Sequence, residues 1–267
     1  MDHLRHILED NPVKARLDKA ALEIASIQTP ELAHESTLDR LNDLACNLGD
    51  RLRNFNDGRD FVDTAQRYLF GELGYHGNET NYFDVRNSCL DQVVELRAGI
   101  PITLSVLYME IARRLAMPVY GIGLPRHFVV QFDDERYSTF IDPYHGGKPI
   151  SPADCFALAG AKVADPALLR RASIKEIAMR MLQNLRAVYL RDNDWPRATA
   201  VLDWIILGAP NVAAWHKQRG MLRMQLNRAQ DARRDLEQYL QLEPDATDRD
   251  QVHRQLRAIH TWLAHNN

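Results

Sequence analysis

The stretch that decides the fold spans residues 99–132 and reads GIPITLSVLYMEIARRLAMPVYGIGLPRHFVVQF. Its first half opens with Pro101, and apolar residues then recur every three or four positions, which is the period of an amphipathic helix. After Pro118 the sequence changes to short runs of β-branched and aromatic residues bounded by Gly, Pro and Asp, which indicate strands. A core helix followed by strands is therefore predicted near the middle of the chain.

A further strand is predicted in YSTFID at 137–142, which opens into FIDPYHGG at 140–147, and DDER at 133–136 is the natural hairpin loop before it. If the two ends of that loop face each other, His127 lies opposite Asp142 across the hairpin. Directly opposed side chains have Cβ atoms roughly 4.5–5.5 Å apart, which lets an imidazole reach a carboxylate. The sequence thus predicts a His127–Asp142 pair, which a slip of one residue would undo.

The residues before this stretch are predicted to be mainly helical. Apolar residues recur at helical spacing over 13–27 and 36–52, and a third helix is expected over 60–73. A glycine-containing loop follows, and then a short helix over 87–97 capped by Asn87 or Ser88.

Beyond residue 150 the chain is predicted to return to helix and to end in repeats. Its predicted helix starts include Ser151-Pro152, a cap followed by proline, and a capping box formed by Ser173 and Glu176. Three residue types recur at a displacement of 34 residues, the period of tetratricopeptide repeats. They are Ala198, Leu202 and Pro210 in one copy and Ala232, Leu236 and Pro244 in the next. We therefore predict a helical linker over 151–175, and two repeats with a closing helix over 176–267. A helical hairpin with accidental periodicity is the alternative.

The composition is that of an ordinary globular protein. Of 267 residues, 45% are hydrophobic and 26% are charged, the formal net charge is −3 and the sequence pI is about 6.4. No run of like charge provides a surface for nucleic acid or for an anionic membrane. No apolar signal region or membrane span is evident, and three widely spaced cysteines are best explained as reduced thiols. These features predict a cytoplasmic protein.

The stretches quoted above, together with NETNYFDVRNSCLDQV at 78–93, resemble the transglutaminase-like branch of papain-fold proteins. The similarity is to a bacterial family that joins such a domain to C-terminal tetratricopeptide repeats and is linked by name to sirohaem synthesis. The resemblance implies an α+β fold with a small antiparallel sheet and an all-α repeat tail. The transglutaminase-like domain would occupy 1–150, with a helical part over 1–85 and the core helix and sheet over 86–150.

In that fold a cysteine at the start of the core helix acts with a histidine and an aspartate from the sheet, and His127 and Asp142 match the latter two. Here the core helix begins Pro-Ile-Thr-Leu-Ser at 101–105, and neither this helix nor the strands after it contain a cysteine. The nearest hydroxyl groups belong to Thr103 and Ser105. An alcohol needs a general base in the transition state, whereas a thiol needs only a lowered pKa.

Several functions are compatible with these residues. The first is a non-enzymatic or weakly active module that binds a peptide or protein through the cleft or the repeats. The second is a hydrolase or acyltransferase for amide or ester bonds, with Thr103 or Ser105 as nucleophile, His127 as general base and Asp142 orienting it. Backbone N–H groups near 101–103 would then form the oxyanion hole. A purely structural scaffold is the third.

Other residues have secondary roles in this interpretation. Asn87 and Ser88 are predicted to cap a helix or to form a wall of the site, and Arg126 would attract a carboxylate-bearing ligand or remain a solvated charge. Cys89, near a helix start, is a candidate displaced nucleophile, with a small buried apolar residue as the alternative. No cofactor and no metal site are predicted, because neither a phosphate-binding glycine pattern nor metal-ligand spacing appears.

Overall fold

A computed structural model describes residues 1–10, 16–52 and 57–266 of the chain. Internal contacts divide the protein into two compact units, Met1–Met181 and Leu182–Asn267. The predicted α+β class is confirmed, because helices dominate and one small antiparallel sheet accompanies them. The finer division at residues 150 and 175 stays a prediction. Within the described residues, no helix combines the length and the apolar character needed to cross a bilayer.

Helices make up most of the described residues. They are α1 (Asp2–Leu8), α2 (Leu17–Ala25), α3 (His34–Arg51), α4 (Gly58–Ala65), α5 (Leu90–Leu96), α6 (Pro101–Arg114), α7 (Pro152–Leu158), α8 (Ile174–Arg191), α9 (Trp195–Gly208), α10 (Ala213–Gln225), α11 (Ala229–Leu242) and α12 (Arg249–Asn266). Val13, where the first apolar pattern was predicted to begin, lies outside the described residues.

Helix α6 is the core helix of the first unit, as the opening stretch predicts. Pro101 occupies its first turn after an extended Ile100, a position where the missing N–H costs nothing. Nearly every side chain of α6 is buried, because α3, α5 and strands β3 (Val119–Leu124) and β4 (His127–Asp133) pack around it. The helix ends before Ala116, whose backbone is left-handed with φ 56°.

The four-stranded sheet is an antiparallel meander in the order β3, β4, β5 (Ser138–Asp142) and β6 (Lys148–Ile150). The register predicted between β4 and β5 is wrong by two residues, since Val130 pairs with Ile141 and Asp133 pairs with Ser138. The loop is therefore 134–137, and the residue opposite Asp133 is Ser138 instead of the predicted Arg136.

The cause of this register is local to the hairpin loop. Asp134 Oδ1 accepts hydrogen bonds from the backbone N–H groups of Arg136 (3.0 Å) and Tyr137 (2.7 Å), which stabilises a four-residue loop. The shift is an even number of residues, so both strands keep the same faces. His127 and Asp142 become diagonal neighbours, a spacing that long side chains still bridge.

A short parallel pair positions the residues before α6. Strands β1 (His76–Gly77) and β2 (Ala98–Gly99) pair in parallel, and Asn78 N donates to Gly99 O at 3.0 Å. This pairing holds the loop that follows Gly77 against the start of the core helix.

The helix starts predicted after the sheet carry their capping interactions. Ser151 Oγ accepts from Asp154 N at 3.2 Å, and Asp154 Oδ2 accepts from Ser151 N at 2.8 Å. Ser173 and Glu176 form the same reciprocal pair at the start of α8. Both predicted starts are confirmed, which follows from the short range of capping-box chemistry.

The second unit contains the helical repeats. Ala198 and Leu202 of α9 and Ala232 and Leu236 of α11 are fully buried at equivalent positions, as the 34-residue displacement predicts. Gly220 of α10 lets α11 approach closely, because a Cβ there would lie 3.1 Å from Leu236 Cγ. The predicted repeats and closing helix are confirmed.

Candidate functional site

The centre of the site is a contact between His127 and Asp142. His127 begins β4 after a two-residue turn, and Asp142 ends β5. His127 Nε2 lies 2.9 Å from Asp142 Oδ2, and both side chains are buried. An imidazole held in this way by one ring nitrogen has its other nitrogen, Nδ1, on the opposite side of the ring.

A second imidazole, His145, shares the same carboxylate oxygen. Its Nδ1 lies 2.7 Å from Asp142 Oδ2, and its ring stacks on that of His127 with centroids 5.5 Å apart. The His145 side chain is 49% exposed, unlike the other two. Sequence reasoning missed this residue, although its place three positions after Asp142, in a turn rich in Gly and Pro, was the available signal.

The carboxylate of Asp142 is held in place by its own turn. Asp142 Oδ1 accepts hydrogen bonds from the backbone N–H groups of Tyr144 (3.0 Å) and His145 (3.3 Å). Burial by itself raises the pKa of Asp142, but the hydrogen bonds and charges of His127, and then of His145, outweigh burial and lower the pKa below its usual value. Asp142 is therefore ionised at neutral pH and acts only as an acceptor.

Arg180 of α8 fixes the backbone at His127. Its Nη2 donates to the carbonyl oxygen of His127 at 2.7 Å, and its guanidinium lies 5.5 Å from the centroid of the Phe128 ring. Burial lowers the pKa of Arg180, although not enough to discharge a guanidinium. Nothing in the local sequence pairs Arg180 with His127, since 53 residues separate them.

The two hydroxyl groups at the start of α6 both bond backbone carbonyls. Thr103 Oγ1 donates to Asn87 O at 2.7 Å, and Ser105 Oγ donates to Phe128 O at 3.4 Å. Both residues are fully buried. The structure therefore places Thr103 and Ser105 in the helix packing, and neither is hydrogen-bonded to His127 in the geometry described.

The predicted cap at Asn87 or Ser88 is wrong, because α5 begins later, at Leu90. Val85–Ser88 forms a separate 3-10 turn, and Cys89 precedes α5 without a side-chain cap. Ser88 is buried. Asn87 is also buried, so its amide is satisfied internally. The partners of Asn87 are the backbone oxygens of Asn81 (2.7 Å) and Tyr82 (3.1 Å) and the side chain of Asn78 (3.1 Å).

Cys89 lacks the environment of a reactive thiol. Burial, with smaller contributions from the nearby Asp91 and Asp84, raises its pKa to about 12. Its Sγ donates to Val85 O at 3.5 Å. A catalytic thiol needs a lowered pKa, so the surroundings of Cys89 favour the buried apolar alternative.

Arg126 lies exposed in the turn between β3 and β4. Its backbone is left-handed, with φ 63°, a conformation that the tight turn imposes at some cost on a residue with a Cβ. Its role in attracting a ligand stays a prediction.

An aromatic shelf, formed by Tyr82, Phe83 and Tyr144, borders the histidines. Tyr82 contacts Phe83 with centroids 5.2 Å apart and Tyr144 at 6.3 Å, while Tyr144 lies 5.9 Å from His127. Tyr82 is 38% exposed and Phe83 is 50% exposed. The site thus combines a buried His-Asp pair with an accessible aromatic surface.

Comparison with known proteins agrees with this fold. Residues 35–183 match the model of the transglutaminase-like superfamily, and residues 185–257 match a tetratricopeptide repeat. The chain therefore belongs to the transglutaminase-like superfamily.

Individual relatives include bacterial proteins designated UPF0162. The chain is 39% identical to one from Xylella fastidiosa strain 9a5c over 70% of each chain, and 30% identical to one from Pseudomonas aeruginosa over 87% of this chain and 86% of the relative. Human F-box only protein 21 is 30% identical over 49% of this chain and 22% of its own length. No solved structure matches the chain.

Proposed function

We propose that this protein is a binding module for a peptide or protein partner, built on a transglutaminase-like domain without the usual thiol nucleophile. One observation carries the proposal: both hydroxyls at the start of α6 are buried and committed to backbone carbonyls. The alternative thiol, Cys89, has its pKa raised to about 12 by burial. An oriented imidazole without a nucleophile beside it supports binding better than catalysis.

The aromatic shelf supplies a surface suited to a peptide. Aromatic side chains are enriched among the residues that dominate binding energy, since they bury a large area for little lost rotamer freedom. Phe83 and Tyr82 are the exposed members, and Tyr144 connects them to His127. Tetratricopeptide repeats generally mediate protein association, so the second unit supports the same class of function.

The test is selection of peptides from a random library on the full chain, followed by affinity measurement with variants. The double variant Tyr82→Ala/Phe83→Ala should weaken the selected peptide at least about tenfold, because two exposed aromatic anchors are lost. Leu96→Ala, which removes another exposed apolar side chain, is the matched control and should bind as the unmodified chain does. Failure to recover any peptide above a scrambled library would count against the proposal.

The second candidate is a hydrolase or acyltransferase, and the His127–Asp142 geometry favours it. An ionised Asp142 at 2.9 Å from Nε2 orients the imidazole of His127 as a general base would require. Such an enzyme must release Thr103 or Ser105 from its carbonyl partner, and Pro101 contributes no N–H to an oxyanion hole. Turnover of amide or ester substrates that disappears in His127→Ala would establish it over the binding module.

The proposal also places the protein in the cytoplasm. Cys46, Cys89 and Cys155 are all free thiols, and two of them are buried. Unpaired thiols of this kind are typical of a reducing compartment.

A further inference from the structure

Together, His127, Asp142 and His145 form a cluster of three possible metal ligands. The sequence predicted only the contact between His127 and Asp142. One ligand atom from each residue lies within 4.8 Å of the other two. Asp142 Oδ2 stands between the imidazole nitrogens, 2.9 Å from His127 Nε2 and 2.7 Å from His145 Nδ1. The sequence predicted no metal site, because these positions do not follow a regular ligand spacing and meet only through the hairpin.

We propose that this cluster is a binding site for a divalent late transition metal, with Zn²⁺ as its best match. Two imidazoles and one carboxylate are the donor set of three-ligand zinc sites, which keep the fourth position open. Imidazole donors disfavour Mg²⁺ and Ca²⁺, which prefer oxygen ligands.

The distances leave room for an ion after a small adjustment. Zinc lies about 2.0–2.2 Å from nitrogen and oxygen ligands, so two ligands of one tetrahedral ion are about 3.3–3.6 Å apart. The observed separations of 2.9 and 2.7 Å are shorter than this by about 0.4–0.9 Å. Rotation of the half-exposed His145 side chain supplies the change on its side of Asp142. The buried His127–Asp142 pair must widen as well, through a smaller torsional shift of its own side chains.

The surroundings hold the ligands as metal sites require. Asp142 Oδ1 is fixed by the backbone N–H groups of Tyr144 and His145, which aims Oδ2 at the histidines. The backbone of His127 is fixed by Arg180. Outer contacts of this kind orient ligands and strengthen metal affinity. The exposed side of His145 provides both an entry path and the open coordination position.

At Nε2 of His127, a bound metal and the hydrogen bond to Asp142 exclude each other. A metal on Nε2 of His127 takes the lone pair and the position that the hydrogen bond to Asp142 uses in this structure, and the ring proton then resides on Nδ1. The inference does not depend on the binding module or on the hydrolase, because it concerns only these three side chains.

The experiment is titration of the EDTA-treated, dialysed full chain with Zn²⁺ by calorimetry and with a competing chromogenic indicator. One equivalent should bind, and His145→Ala should weaken that binding at least about 100-fold while the protein stays folded by circular dichroism, since loss of an outer-shell partner alone costs about 10–100-fold. Asp142→Asn should do the same. His260→Ala removes an exposed imidazole far along the sequence and should leave the binding unchanged.

Because the chain has ten histidines, the control variants must distinguish zinc bound at the His127–Asp142–His145 cluster from zinc bound by scattered surface histidines. Addition of Zn²⁺ should also raise the melting temperature of the unmodified chain and not that of His145→Ala, because a ligand of the folded state stabilises it. Equal zinc uptake by the unmodified chain and His145→Ala, or no uptake by either, would overturn the proposal. Displacement of Zn²⁺ by equimolar Mg²⁺ would also overturn it.

Discussion

At the residue scale, one carboxylate oxygen organises the site. Asp142 Oδ2 accepts from His127 at 2.9 Å and His145 at 2.7 Å, while Oδ1 takes two backbone N–H groups. Burial is the largest effect on the pKa of Asp142 and raises it, but the hydrogen bonds and charges of His127, and then of His145, together outweigh burial and lower the pKa. The His127–Asp142 contact was predicted from a hairpin register that is wrong by two residues, and the contact remains because an even shift keeps both side chains on the same face. The roles of the pair in binding or catalysis stay predictions.

Replacing Thr103 tests whether its hydroxyl is structural. Thr103→Val keeps the shape but removes the donor to Asn87 O, leaving a buried carbonyl poorly satisfied. We expect a loss of about 1–2 kcal/mol in the free energy of unfolding, measured by urea denaturation. Ser105→Ala is the comparison, and it should cost less because its hydrogen bond is longer, 3.4 Å. A neutral Thr103→Val would contradict the structural role.

Because of Asp18, the free energy of unfolding of the first unit is expected to fall as the pH becomes acidic. Burial raises its pKa, but hydrogen bonds and charges from Arg16 and Arg114 outweigh burial and lower the pKa to about 2. Arg114 Nη2 lies 2.7 Å from Asp18 Oδ2, and Asp18 is fully buried. Since an unfolded aspartate titrates near about 3.9, the contribution of Asp18 is complete above that pH and is lost as pH falls towards 2.

This contribution amounts to about 2–3 kcal/mol. Asp18→Asn should therefore reduce the free energy of unfolding at pH 7 and flatten its decline between about pH 4 and pH 2, as measured by urea denaturation across that range. The exposed Asp39→Asn serves as the control and should retain the decline. If the free energy of unfolding of Asp18→Asn declines between about pH 4 and pH 2 as steeply as that of the unmodified chain, the ion pair of Asp18 is not the cause of the decline.

At the scale of elements, the turn between β5 and β6 sets the position of the site. Gly147 N donates to Asp142 O at 2.8 Å, and both Gly146 and Gly147 have left-handed backbones, with φ 85° and 66°. Only glycine adopts this region without strain. The turn places His145 beside Asp142, so its geometry matters for the site as well as for the sheet.

Substitutions at Gly146 and Gly147 distinguish the energetic cost of backbone strain from that of a steric clash. Gly146→Ala meets nothing within 4 Å and should cost only about 1–2 kcal/mol, the strain of a left-handed residue. Gly147→Ala adds a Cβ 2.1 Å from Phe70 Cδ2, so it should cost at least about 1 kcal/mol more. Thermal or urea unfolding measures both variants. Equal losses would mean that the Phe70 ring moves aside freely.

The β4–β5 hairpin shows which features of a strand pair can be predicted from the sequence. Alternation along β4 and β5 predicts which side chains share a face, and this is preserved because the true register differs by an even number of residues. The register itself depends on Asp134 accepting two loop N–H groups. The hydrophobic pattern of the strands does not indicate which turn joins them.

At the scale of the whole molecule, net charge underlies the prediction that nucleic acid is not a partner. The formal net charge is −3, so no electrostatic term favours association with a polyanion. We expect no binding of single-stranded or duplex DNA at about 0.15 M salt, even at about 100 µM protein, in a fluorescence anisotropy assay. Repeating the assay at about 0.05 M salt is the control, because true phosphate contacts strengthen steeply as salt falls. Strong binding there would contradict the prediction.

The sequence alone determined the features that depend on local pattern. The period of apolar residues predicted α6, alternation and turn residues predicted the strands, and a fixed displacement of 34 residues predicted the repeats. Tertiary structure decided the rest, because those features depend on neighbours distant in the chain. Burial and the carbonyl of Asn87 engage Thr103, desolvation keeps Cys89 protonated, and Arg180 fixes the backbone of His127 from 53 residues away. No local pattern contains the burial or the long-range partner that sets each of these outcomes.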